Sequence, residues 1–135
     1  DWNDQRDIWI RQVDKLYSDI EEWLKVYIDK EYISLSLYEK TLFEEHIGEY
    51  RINVLEIDLG EPLLVFRPIG KNIIGAEGRV DVFLSGHLND KKMLLLTEDE
   101  QNFLWELWPT KDRKDAKPFN RESLEEILED WLQYY

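Results

Sequence analysis

Three short runs decide the fold: Arg79-Val80-Asp81-Val82-Phe83-Leu84, Met93-Leu94-Leu95-Leu96 and Phe103-Leu104-Trp105-Glu106-Leu107-Trp108. Each has the length of a strand and is rich in branched or aromatic residues. The spacers between them, 85–92 and 97–101, are polar and too short for a crossover helix, so neighbouring runs must return antiparallel. On the N-terminal side, Leu63–Phe66 reads as a further strand, preceded by the turn Gly60-Glu61-Pro62 and ended by Pro68 and Gly70. Ile33, Leu35 and Leu37 alternate with Ser34, Ser36 and Tyr38, the mark of a half-buried strand. Within 49–59, Tyr50, Ile52 and Val54 share one parity, whereas Leu55, Ile57 and Leu59 share the other. That slip requires either a β-bulge near Val54-Leu55 or a strand covered on both faces, and the bulge is the expectation.

Both ends switch to the helical period. From 4 to 29, Trp9, Val13, Leu16, Ile20, Leu24 and Tyr27 trace one stripe, with Arg11, Asp14, Ser18 and Glu22 opposite. Asp4 fits the N-cap, and Asp7/Arg11 and Glu21/Lys25 have acid-first i,i+4 spacing. At the other end Leu124, Ile127, Leu128, Trp131 and Leu132 form a second stripe, and Ser123-x-x-Glu126 fits a capping box. The residues between, 109–117, read as an exposed charged connector. The expected architecture is α+β: a helix, about six strands in a mainly antiparallel meander, and a helix, with both helices on one sheet face. A chain of 135 residues suits one domain, 1–135.

Composition narrows the function. Without cysteine there is no disulfide, no thiolate chemistry and no cysteine zinc site. No apolar run approaches the ~20 residues of a membrane-spanning helix. A net charge of −13 disfavours phosphate-driven nucleic-acid binding and anionic membranes, and suits a basic protein partner. A cytoplasmic setting is the plain expectation, with oligomeric state left open. The chain opens on Asp1 and its one methionine is Met93, so it reads as a processed product or a domain of a longer polypeptide.

The charge is unevenly spread. Residues 1–61 carry net −9 and 98–135 carry −6, but 62–97 carry +2 and four of the six glycines: Gly70, Gly75, Gly78 and Gly86. Arg67, Lys71, Gly75, Gly78, Arg79 and Asp81 are therefore the candidate ligand-binding set, since glycines admit close amide approach and the bases complete an anion pocket. The spacing fits neither a P-loop nor a dinucleotide fingerprint, and hairpin turns or a bulge are the commoner use of such glycines. Asp81 followed by Asp90-Lys91-Lys92 has the residue types of a metal-dependent nuclease, with the acid-x-Lys falling in a loop where that chemistry would need a strand. His46 and His87 belong to no metal spacing, and no cofactor or catalytic set is expected. On the last long strand, Leu104, Glu106 and Trp108 share one face and form a candidate protein interface, which Trp131-Leu132-Gln133-Tyr134-Tyr135 would extend. The leading expectation is a non-enzymatic interaction module of the antitoxin, immunity or inhibitor kind. The alternative is a small-ligand, anion-binding or nuclease-like domain centred on 67–92.

Overall fold

The computed structural model describes residues 1–133 and shows the expected α+β architecture. Helix α1 spans Trp2–Trp23 and a short α2 spans Lys25–Asp29. Strands follow at Ser34–Glu44 (β1), Gly48–Asp58 (β2), Leu63–Gly70 (β3), Gly78–Leu84 (β4), Lys92–Asp99 (β5), Asn102–Trp108 (β6) and Lys117–Pro118 (β7), and helix α3 spans Arg121–Leu132. The sheet is a seven-stranded antiparallel meander in chain order. The strand beyond the expected six is β7, two residues paired with Glu106 and Leu107; a pair containing Pro118 carries no strand signal of its own.

Both helices bury their stripes on one sheet face. Trp9, Val13, Leu16 and Ile20 of α1 and Leu124, Ile127 and Trp131 of α3 share a single core with Leu64, Phe66, Val80, Val82, Leu94 and Leu107. Phe119 fills the gap between α1 and the sheet, edge-on to Trp23 at 5.5 Å and 6.3 Å from Phe66. The N-cap of α1 is Asp1, whose carboxylate accepts the Asp4 amide at 2.9 Å, so the helix begins earlier than its polar pattern suggested. It ends at Leu24, and the stripe ends there too, leaving Tyr27 exposed. The i,i+4 ion pairs formed among the described residues are Lys15–Asp19 and Lys25–Asp29, in base-first order. On α3 the cap is Asn120, in a reciprocal box with Ser123 as its third helical residue.

The parity slip in β2 is not a bulge. The β1–β2 register runs unbroken from Ser34↔Asp58 to Glu44↔Gly48. Leu55 faces the helices, whereas Val54 lies on the opposite face, buried among its same-face neighbours Val65 and Phe83, so the strand buries side chains on both sides although no second layer covers the far one. Tyr50, Ile52 and Leu42 nevertheless rejoin the helix-side core. The β2–β3 pairing stops at Leu55↔Phe66, and a two-stranded ribbon twists more than a full sheet, carrying the hairpin end round toward α1. Tyr17 closes the point of divergence: its hydroxyl donates to the Asn53 carbonyl at 2.7 Å, with the Phe66 carbonyl at 3.3 Å. Among the described residues, the register shifts in β3, between Pro68 and Gly70.

Candidate functional site

The open face of the sheet carries the charged residues singled out on β3 and β4. Antiparallel register sets Arg67 opposite Asp81, and Asp81 opposite Met93. Asp81 is only 4% exposed. Arg79 grips its carboxylate with two hydrogen bonds, Nε to Oδ1 at 2.7 Å and Nη2 to Oδ2 at 3.1 Å, and Lys91 Nζ stands 3.7 Å from Oδ2. Such bidentate pairing offsets the desolvation of a carboxylate that no helix covers. Arg67 lies over the Phe83 ring at 5.0 Å. Burial holds the Lys40 ammonium below the usual lysine range; Arg67 adds repulsion and Asp81 opposes it. Arg67, Arg79, Asp81, Lys91 and Lys40 thus form one electrostatic cluster on the open face.

Lys71, Gly75 and Gly78 lie elsewhere and have packing roles. The amides of Lys71 and Asn72 do converge on a carboxylate, but it belongs to the protein. Glu44 accepts the Lys71 amide at 3.0 Å to each oxygen and the Asn72 amide at 2.8 Å. The Tyr50 hydroxyl also donates to Glu44 and in turn accepts the Trp9 indole N–H at 3.1 Å. This chain ties α1, both strands of the first hairpin and the 70–77 loop together. Burial pushes the Tyr50 hydroxyl above the ordinary tyrosine range, and the Glu44 hydrogen bond and charge push it further. The Lys71 ammonium turns to Glu77 at 3.5 Å. Gly75 sits at φ +82° in the tight turn closed by the Ile73–Ala76 bridge. Gly78 is the floor on which Trp9 rests: a Cβ there would stand 2.3 Å from the indole Cζ3.

A cleft of about 890 Å³ opens where the 85–91 loop meets the ends of β5, β6 and α3. Arg79, Lys91, Lys92 and Lys111 line it, with Asp90, Asp130 and Trp108. Lys92 lies 5.6 Å over the Trp131 ring, and the Trp108 indole N–H is buried without an acceptor among the described residues. The cleft was illegible in sequence because α3 closes it from 20 or more residues downstream; only the basic character of 91–92 pointed there.

On β6, Trp105 packs under the helices, 6.1 Å from Trp9. Leu104, Glu106 and Trp108 project from the open face, beside Thr97, Leu95 and Met93 of β5. Leu104 is 56% exposed; Trp108, Met93 and Leu95 are half-buried. Trp131 is a core residue, and Tyr134 and Tyr135 lie outside the described residues. The nuclease-like residues diverge: Asp81 is committed to Arg79 and Lys91, while Lys92 turns to Trp131. Among the described residues, no three His, Asp or Glu side chains converge as metal ligands would. His46 stacks on Trp2 at 4.9 Å on the exposed β1–β2 turn. No described helix is long and apolar enough to cross a membrane. No family model, curated protein or solved structure matches the chain.

Proposed function

We propose that the protein is a cytoplasmic, non-enzymatic interaction module, of the antitoxin, immunity or inhibitor kind, that engages a basic protein partner. The observation that carries this reading is the apolar strip on the uncovered sheet face. Met93, Leu95, Leu104 and Trp108 line up there across β5 and β6, next to the acidic hairpin tip Glu98-Asp99-Glu100. Aromatic and aliphatic side chains with an acidic tip at one end suit an amphipathic surface that meets that tip with basic residues, the acids steering the encounter, while at the other end Met93 and Trp108 border the basic cleft. Leu104→Asp and Trp108→Ala should each weaken such a complex about tenfold or more, with the far-UV spectrum unchanged. A lone monomer with no partner recovered from native lysate, or a complex indifferent to both substitutions, contradicts the reading.

A second reading is favoured by the cleft alone. Four of the chain's 17 bases line it, together with the Trp108 N–H, which has no acceptor among the described residues, and this suits an anionic small ligand. Inorganic phosphate should then raise the melting temperature, and Lys92→Ala with Lys111→Ala should remove the rise. No phosphate-dependent rise excludes phosphate as the ligand type.

A further inference from the structure

The two edges of the sheet are built differently. At one edge β7 is two residues long and contains Pro118, which has no N–H to offer, and the next amide, Phe119, already donates to the Trp105 carbonyl at 2.9 Å. A short strand, a proline and a covering segment are the usual means of blunting an edge. At the other edge β1 runs for eleven residues without Pro or Gly, and its first five, Ser34-Leu35-Ser36-Leu37-Tyr38, carry no charge. β1 pairs with β2 along its full length and has no strand on its other side among the described residues. Leu37 is 55% exposed on this strand.

Beside that edge, on the helix side, lies a groove of about 390 Å³ between α1 and β1. Leu35, Leu37 and Leu55 form its floor, and Asp14, Ser18 and Glu21 of α1 form its wall. Asp14 and Glu21 stand seven residues apart on one helix, roughly 10 Å along its axis. A strand added outside β1 would lie roughly 4.8 Å away and turn every second side chain into this groove. A long side chain there lays its methylenes over Leu35 and Leu37 and brings its head to the two carboxylates, which is the habit of Lys and Arg.

We infer that the β1 edge is a recognition site for an extended, basic segment of a partner protein, which adds as an eighth strand with Lys or Arg at alternate positions. The acid wall selects the sign of the partner. A second copy of this chain is the wrong occupant, because each copy brings a net charge of −13. The inference deepens the interaction-module reading by naming the chemistry of a partner segment. It stands on a different surface from Leu104 and Trp108, so the two fail separately.

The test uses the whole protein and a blocked peptide alternating threonine with lysine, with a threonine–glutamate peptide as control. Hydrogen exchange of the β1 amides that point away from β2 is followed by NMR. The lysine peptide should slow them about tenfold or more, the glutamate peptide should not, and Asp14→Asn with Glu21→Gln should weaken the effect. Leu37→Lys, at an exposed position, should abolish the protection while leaving the melting curve intact. Four results overturn the inference: no slowing at peptide concentrations on the order of millimolar, equal slowing by the glutamate peptide, protection that survives Leu37→Lys, or protection that grows with protein concentration alone as the mass doubles, which would make the occupant a second copy.

Discussion

Gly78→Ala tests whether the glycine-rich block is structural. The added Cβ would lie 2.3, 2.5 and 2.9 Å from three atoms of the Trp9 ring, whereas ordinary carbon contacts begin about 3.5 Å apart. The indole must therefore shift by about an ångström. It has nowhere to go: Trp9 is 1% exposed, is hydrogen-bonded to Tyr50 and packs 6.1 Å from Trp105. Overpacking of this kind costs about 1–3 kcal/mol, and a strained indole–Tyr50 bond adds about 1, so a loss near 3 kcal/mol is expected. In a domain of this size that lowers the melting temperature by about 10 °C. Urea titration followed by far-UV circular dichroism gives the free energies. Trp9→Leu alone should cost about 3–4 kcal/mol, but in that background Gly78→Ala should be close to neutral, because the obstruction is gone. The coupling between the two sites is then about 3 kcal/mol. A Gly78→Ala cost under about 0.5 kcal/mol, or the same cost in both backgrounds, refutes the packing argument.

Three further outcomes follow from the polar contacts. Arg79→Ala or Asp81→Ala should each cost about 2–3 kcal/mol, and the double variant much less than their sum, since each single change strands a charge; additive losses in a urea double-mutant cycle would show the pair to be uncoupled. Glu44→Ala removes the acceptor for two amides and the Tyr50 hydroxyl, so stability should fall by about 2–4 kcal/mol and the Lys71 and Asn72 amides should exchange faster; unchanged exchange of those amides contradicts the assignment. Burial first, and then Asp14 and Glu44 respectively, raise the Tyr17 and Tyr50 hydroxyls well above the ordinary value of 10.0. Below that value both states are protonated and stability is full; as pH rises beyond it only the unfolded chain ionises, and stability falls by at most about 1.4 kcal/mol per pH unit per group. Urea titrations across pH 9 to 12 should show that slope, shallower in Tyr17→Phe, and a flat profile would contradict it.

Periodicity made the architecture readable. The stripe from Trp9 to Leu24 and the alternation through β4 depend only on neighbours along the chain, and both survive in the structure. What escaped depends on contacts distant in sequence. Parity in 49–59 predicts a bulge because it does not show that Val65 and Phe83, on neighbouring strands, bury Val54 on the far face. The anion cradle at 70–72 was visible as a glycine-flanked basic segment, but its occupant, Glu44, stands 27 residues upstream. Gly78 looked like a turn or ligand glycine because nothing local reveals the Trp9 ring above it. The candidate set divides on the same principle: Arg67, Arg79 and Asp81 meet because β3 and β4 are adjacent and in register, whereas Lys71 follows the register shift after Pro68 and faces the helix side. Leu104, Glu106 and Trp108 share a face as strand alternation requires.

The interaction-module reading places the main partner contact on the uncovered face of β5 and β6 and not on α3. A photo-crosslinking residue placed at position 104, and separately at the exposed helical position 129, tests it most directly in native lysate. A discrete adduct with one basic protein is expected from position 104 and none from 129. An adduct from 129 alone would place the binding surface on α3 and contradict it.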